Sequence, residues 1–166
     1  MSREQFLEDQ LRSAHKGRAM VYAAMLQVLE RRLGAAEAEQ AMMDAIYARG
    51  QDAGRRFTSF APDDMRGLAK AFLEFVPDRG RLFAPEVRRC DSEGVDIHFH
   101  RCPLKEAWEE AGIPVERRTT LCRIAAHVDN GTFEPCGFSF SAETWQPGEE
   151  GCCTLHLRPG ICSSEQ

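Results

Sequence analysis

Val95-Asp-Ile-His-Phe-His-Arg101-Cys102-Pro103-Leu104-Lys-Glu-Ala-Trp108 is the stretch in which the chain changes its period. Up to His100 the residues alternate. Val95, Ile97 and Phe99 take one face of an extended segment, and Asp96, His98 and His100 take the other. Upstream, Val87-Arg-Arg-Cys90-Asp91 alternates too, and Ser92-Glu93-Gly94 between the two runs is a turn sequence. Together they predict a β-hairpin. At Pro103 the period becomes helical. Proline suits the first turn of a helix, Leu104, Ala107, Trp108 and Ala111 form one side, and Gly112 closes it.

Working outward, a second helix is expected from about Val115 to Asn130. Two strands follow, Gly137 to Trp145 and Cys152 to Arg158, joined by the turn-forming run 146–151. Before the hairpin the pattern is helical throughout. Tyr22, Met25, Leu26, Leu29 and Leu33 recur at helical spacing, with Gly34 at the expected end. Met42, Ala45, Ile46, Ala53 and Phe57 form a second stripe, weakened by Gly50. Pro62-Asp63-Asp64 opens a third, carrying Met65, Leu68, Phe72 and Phe75, and Pro77 ends it. Methionine and aromatic stripes of this kind read as core. The expected architecture is α+β, with helices on one side of a small antiparallel four-stranded sheet. Residues 1–166 form one domain, of which 1–80 is the helical half and 81–166 the mixed half.

The 166 residues carry 21 basic and 26 acidic side chains, a charge of −5, with no basic block. That balance disfavours nucleic acid as a partner. No apolar run is long enough to span a membrane, and MSREQFLEDQ is too charged for a signal peptide. A cytoplasmic, reducing location is expected. Nothing in the sequence sets an oligomeric state. The seven cysteines are odd in number and contain no C-x-x-C pair, so they write neither a disulfide framework nor a zinc ribbon. All seven, with four of the five histidines, lie from Cys90 onward. The second half is therefore where chemistry belongs.

Three cysteines sit at informative positions. Cys102 precedes Pro103 and so caps a helix, where unpaired N–H groups favour a thiolate and Arg101 and Lys105 add positive charge. Cys153 shares its strand face with Leu155 and Leu157. Cys122 lies mid-helix with Asp129 seven residues on, on the same side and about 10.5 Å along the axis. The three are expected to approach one another beneath the sheet. His98, His100 and Cys102, with His156 from another strand, are residue types that zinc accepts. Spread over about 13 Å of flat strand, they cannot meet at one ion without a bend, which favours an ordinary polar sheet face. His127 stands about 140° around the helix from Cys122 and makes a poor partner for it. Cys90, Cys136, Cys152 and Cys162 carry no positional argument.

The run Arg101-Cys102-Pro103-Leu104-Lys-Glu-Ala-Trp108, then Leu121-Cys122-Arg-Ile-Ala-Ala-His-Val-Asp129, then Gly137-Phe138 and Trp145-Gln-Pro-Gly148-Glu-Glu-Gly-Cys-Cys153-Thr-Leu-His-Leu157, resembles the L-2-amino-thiazoline-4-carboxylic acid hydrolase family. The resemblance covers roughly Arg101 to Leu157, with either Cys152 or Cys153 as the closing cysteine. It implies a bacterial hydrolase that opens a cyclic isothiourea to N-carbamoyl-L-cysteine, with a small molecule as its partner. Such chemistry wants a nucleophile for an amidine-like carbon, a carboxylate for the nitrogens and an acid for the leaving sulfur. Cys102 or Cys122 supplies the first, Asp129 or Glu134 the second, and His100 the proton, while Arg123 takes the ring carboxylate. The alternative mechanism binds a divalent metal such as zinc at Cys102, Cys122 and Cys153 and uses its hydroxide. From another class, a non-enzymatic ligand-binding or sensor domain would present the same helices over the same sheet. A structural zinc module is the third reading.

Overall fold

The computed structural model describes residues 1–160, apart from the side chain of Arg79; Cys162 lies outside them. Its helices are α1 (Arg3–Leu33), α2 (Ala35–Gly54), α3 (Met65–Phe75), α4 (Pro103–Glu110) and α5 (Val115–Phe133). Its strands are β1 (Pro85–Asp91), β2 (Gly94–Phe99), β3 (Ser139–Glu143) and β4 (Thr154–Arg158). All neighbours pair antiparallel, in the order β1-β2-β4-β3. The α+β layering is as the patterns predict. The later strands are shorter than expected, and α5 runs almost a turn beyond Asn130.

Local chemistry starts and stops these elements. Ser2 and Gln5 form a reciprocal cap on α1, and Gly34 ends it at φ 89°. Asp64 caps α3 by accepting from the Gly67 N–H (2.9 Å), so the acidic residue lies at the cap and not within the first turn. Gly50 weakens the α2 stripe for a packing reason. A methyl group there would strike the Val128 carbonyl of α5, and one at Gly131 would strike the Tyr47 carbonyl of α2. Small residues bring the two backbones together.

One stripe is displaced. On α1, Ala19 and Leu26 are buried, whereas Met25 (48%) and Leu33 (46%) are exposed. The inward side is set by Trp108 of α4, whose indole N–H donates to the Ala19 carbonyl (2.7 Å). A small residue at the contact therefore outranks the larger methionine.

The buried side chains form two cores. One joins α3, the inner sheet face (Val95, Ile97, Phe99, Leu155, Leu157) and Phe133 at the end of α5. The other joins α1, α2, α4 and the first half of α5 around Trp108 and Ile124. Cys102 packs against both. The seam between the cores is open, and the cavity described next lies along it. No helix among the described residues is long and apolar enough to cross a membrane.

Candidate functional site

A cavity of about 370 Å³ opens at the seam, and Cys102, Cys122, Asp129, Cys152 and Cys153 all line it. The thiols arrive from three directions. Cys102 is the N-cap residue of α4, three residues beyond the end of β2. Cys122 faces inward from α5, seven residues before Asp129. Cys152 and Cys153 precede β4 and are clamped to the end of β2, because the Cys152 N–H donates to the Phe99 carbonyl (2.8 Å) and the Phe99 N–H to the Cys153 carbonyl (2.9 Å). Their sulfurs lie 3.6 Å apart.

Electrostatics separates these groups. The Cys102 thiol is brought down to about 7, chiefly by a hydrogen bond from the Cys152 thiol. Burial opposes the shift, while the Lys105 and Leu104 amides of the first helical turn and the Arg18 charge assist it. Cys152 moves the other way, because its proton is held between Cys102 and Cys153 and the site is buried. Burial, with the charges of Cys102 and Cys153, also pushes Cys122 up. One thiolate is favoured, while Cys152 and Cys122 are held in the protonated form. Asp129 is pushed up to about 7 by burial, then by the Cys102 charge. A carboxyl and a thiol thus titrate in the same range at one cavity, as acid–base chemistry requires.

The cations differ from those expected. Arg101 is held in a two-pronged pair by Glu106 (2.8 and 2.9 Å), and Lys105 donates to the Gly151 carbonyl (2.7 Å). Arg18 of α1 lines the cavity and donates to Nδ1 of the buried His15 (3.1 Å). Burial, then Arg18, lowers His15, which fits a neutral ring accepting that bond. Neither α1 residue was drawn from the sequence. Their only signal was a histidine and an arginine beside the Ala19 contact.

Three expected residues lie elsewhere. Glu134 is exposed beyond the end of α5 and accepts from Asn130 Nδ2 (2.8 Å). His100 is exposed at the outer rim of the sheet, bonded to Glu86 (3.0 Å). Arg123 points away from the cavity and pairs with Glu39 (2.6 Å). The outer sheet face is a closed polar network. His98 bonds Thr154 (2.9 Å), and Asp96 takes both His156 (2.8 Å) and Arg158 (2.7 Å). Among the described residues no three Cys, His, Asp or Glu side chains converge as metal ligands. Cys102, Cys122 and Cys153 share the cavity, and among the described residues they belong to no group of metal ligands.

The model of the L-2-amino-thiazoline-4-carboxylic acid hydrolase family matches residues 14–157. The chain belongs to that family. The family match reaches back through α1, past the stretch that carried the sequence resemblance, and encloses His15, Arg18 and every thiol of the cavity. No curated protein matches the chain.

Proposed function

We propose that the protein is a hydrolase of a small cyclic amidine or isothiourea of the 2-amino-thiazoline-4-carboxylate kind, with Cys102 as nucleophile and Asp129 as acid and base. The observation that carries the reading is a single activated thiol sharing a cavity with a carboxyl of raised pKa. The Cys102 thiolate attacks the ring carbon between nitrogen and sulfur, and the ring carbon–sulfur bond breaks. Asp129 gives its proton to the departing sulfur and becomes a carboxylate. An S-alkyl isothiourea on Cys102 results, with the former ring sulfur now a free thiol. Water then attacks the same carbon. One of its protons returns to Asp129, the other goes to the imine nitrogen, and the Cys102 thiolate leaves. The sum is addition of one water, and the product is a carbamoyl-cysteine. Arg18, oriented by His15, takes the substrate carboxylate in place of Arg123. A reducing compartment keeps such a thiol cluster competent, and we assign the protein to the cytoplasm on that ground.

The test is incubation of purified protein with 2-amino-thiazoline-4-carboxylate, following thiol release and the carbamoyl product by mass spectrometry. Ring opening with an adduct trapped on Cys102 is expected. No opening, or full turnover by Cys102→Ser, would overturn the assignment.

A further inference from the structure

The cavity is larger than the ring chemistry needs. At interior packing density a non-hydrogen atom occupies roughly 20 Å³, so a thiazoline carboxylate of about nine such atoms fills about half of 370 Å³. The space is also elongated. Cys122 and Thr132, both on its wall, are ten residues apart on α5, about 15 Å along the axis. Its two ends differ in character. Toward the α4 side stand the thiols. From α3 and the turn after it come Phe72, Phe75, Val76 and Pro77, an apolar wall, while Arg49 of α2 also lines the cavity and the Arg56 guanidinium covers the Phe75 ring at 4.0 Å. Phe72 and Val76 belong to the core that joins α3 to the sheet, Cys122 belongs to the other, and Cys102 packs against both. A ligand that reaches from Cys102 to that wall must carry an apolar part against it.

We propose that the true substrate carries an aryl or branched alkyl arm on its amidine-like ring, and that this arm lies along Phe72, Phe75, Val76 and Pro77. The identity of the head rests on the hydrolase reading; the arm rests on the cavity alone. Filling the remaining space takes an arm of about nine non-hydrogen atoms. Phe75 is the residue to alter, because it is 38% exposed; its ring also packs edge-on against the core residue Phe57, so Phe75→Leu is the milder companion variant.

Titration calorimetry of the full chain with acetamidine, benzamidine and biphenyl-4-carboxamidine tests the arm without requiring turnover. Affinity should rise about thirtyfold or more from acetamidine to the aryl amidines, as burial of a ring predicts. Phe75→Ala should cut the ratio of aryl to acetamidine affinity at least fivefold, and Phe75→Leu should restore part of it. Equal affinities across the series, or a ratio unmoved by both variants, would overturn the proposal. Flat affinities with ring opening of the thiazoline carboxylate would sink the arm and leave the hydrolase. Rising affinities with no cyclic substrate opened would keep the subsite and sink the hydrolase. Failure of all three amidines to bind would remove the arm, whereas the hydrolase stands or falls on ring opening of the thiazoline carboxylate.

Discussion

The chain holds two polar clusters on the same sheet, and they have opposite fates. On the outer face Asp96, His98, Thr154, His156 and Arg158 saturate one another. On the inner side Cys102, Cys152, Cys153, Cys122 and Asp129 surround an open cavity. Residue type would favour the outer cluster, since two histidines and an aspartate are the commoner ligands and bases. Partnership reverses that ranking. A polar group whose hydrogen bonds are already made has little left to give a substrate, while a thiolate and a carboxyl facing empty space still do.

The hardest test of the contrast is Cys102→Ser against His98→Ala. Removing the thiol should lower kcat/KM on the thiazoline carboxylate by roughly a thousandfold or more, since covalent attack is lost outright. The outer histidine should change it by less than about threefold. Comparable losses at both positions would end the distinction between the faces.

Asp129→Asn comes next. Loss of a general acid and base is expected to lower kcat by about 10² to 10⁴. The active form pairs an ionised Cys102 with a protonated Asp129, both near 7, so the wild-type rate should pass through a narrow maximum there. The variant should keep the acid limb and lose the alkaline one. Stability should move the other way. The folded pKa of Asp129 lies above the unfolded value, so its penalty is absent below about pH 4 and grows as pH rises through 7. Thermal unfolding should show the variant more stable than wild type at pH 8 and equal to it at pH 3.5. A variant less stable at pH 8 would contradict the burial argument.

Arg18→Ala sharpens the same comparison at the cavity mouth. A charged hydrogen bond to a carboxylate contributes about 1.5–3 kcal/mol, so KM should rise roughly ten- to a hundredfold with kcat little changed. An equal KM for the thiazoline lacking its carboxylate, in both proteins, identifies the group that Arg18 meets. On the outer face, Asp96→Asn should act on stability alone. Burial works against its charge, but Arg158 and His156 hold the carboxyl below the usual range. The stability it adds is present above about pH 4 and fades as pH falls through its folded value. A melting-temperature gap between the two proteins at pH 7 that closes near pH 3 is expected, with no change in KM.

The fold was legible because its signals are local: alternation through Val95–Phe99, Pro103 at a helix start, Gly34 at a helix end. Cys102 was legible for the same reason, since capping is read from adjacent residues. Cys122 and Asp129 followed from helical spacing. Long-range choices were not. Arg18 and His15 reach the cavity only because α1 docks through Ala19 on Trp108, a contact that periodicity ranks below Met25. Cys152 reaches Cys102 through the backbone clamp at Phe99, and sequence alone left it interchangeable with Cys153.

Arg123 gives the smallest effect and the cleanest control. It stands beside Cys122 in the chain, and the sequence offered it the substrate carboxylate. Adjacent helical residues point about 100° apart, so an inward Cys122 turns its neighbour toward solvent. There it pairs with Glu39, with side-chain exposures of 47% and 23%. A pair of that exposure contributes about 0–1 kcal/mol. Arg123→Ala should therefore leave KM within about twofold and shift the unfolding free energy by no more than about 1 kcal/mol. The small loss should shrink further in high salt, where screening weakens exposed pairs. A tenfold rise in KM would mean that α5 turns its other face to the substrate, and the assignment of Arg18 would fall with it.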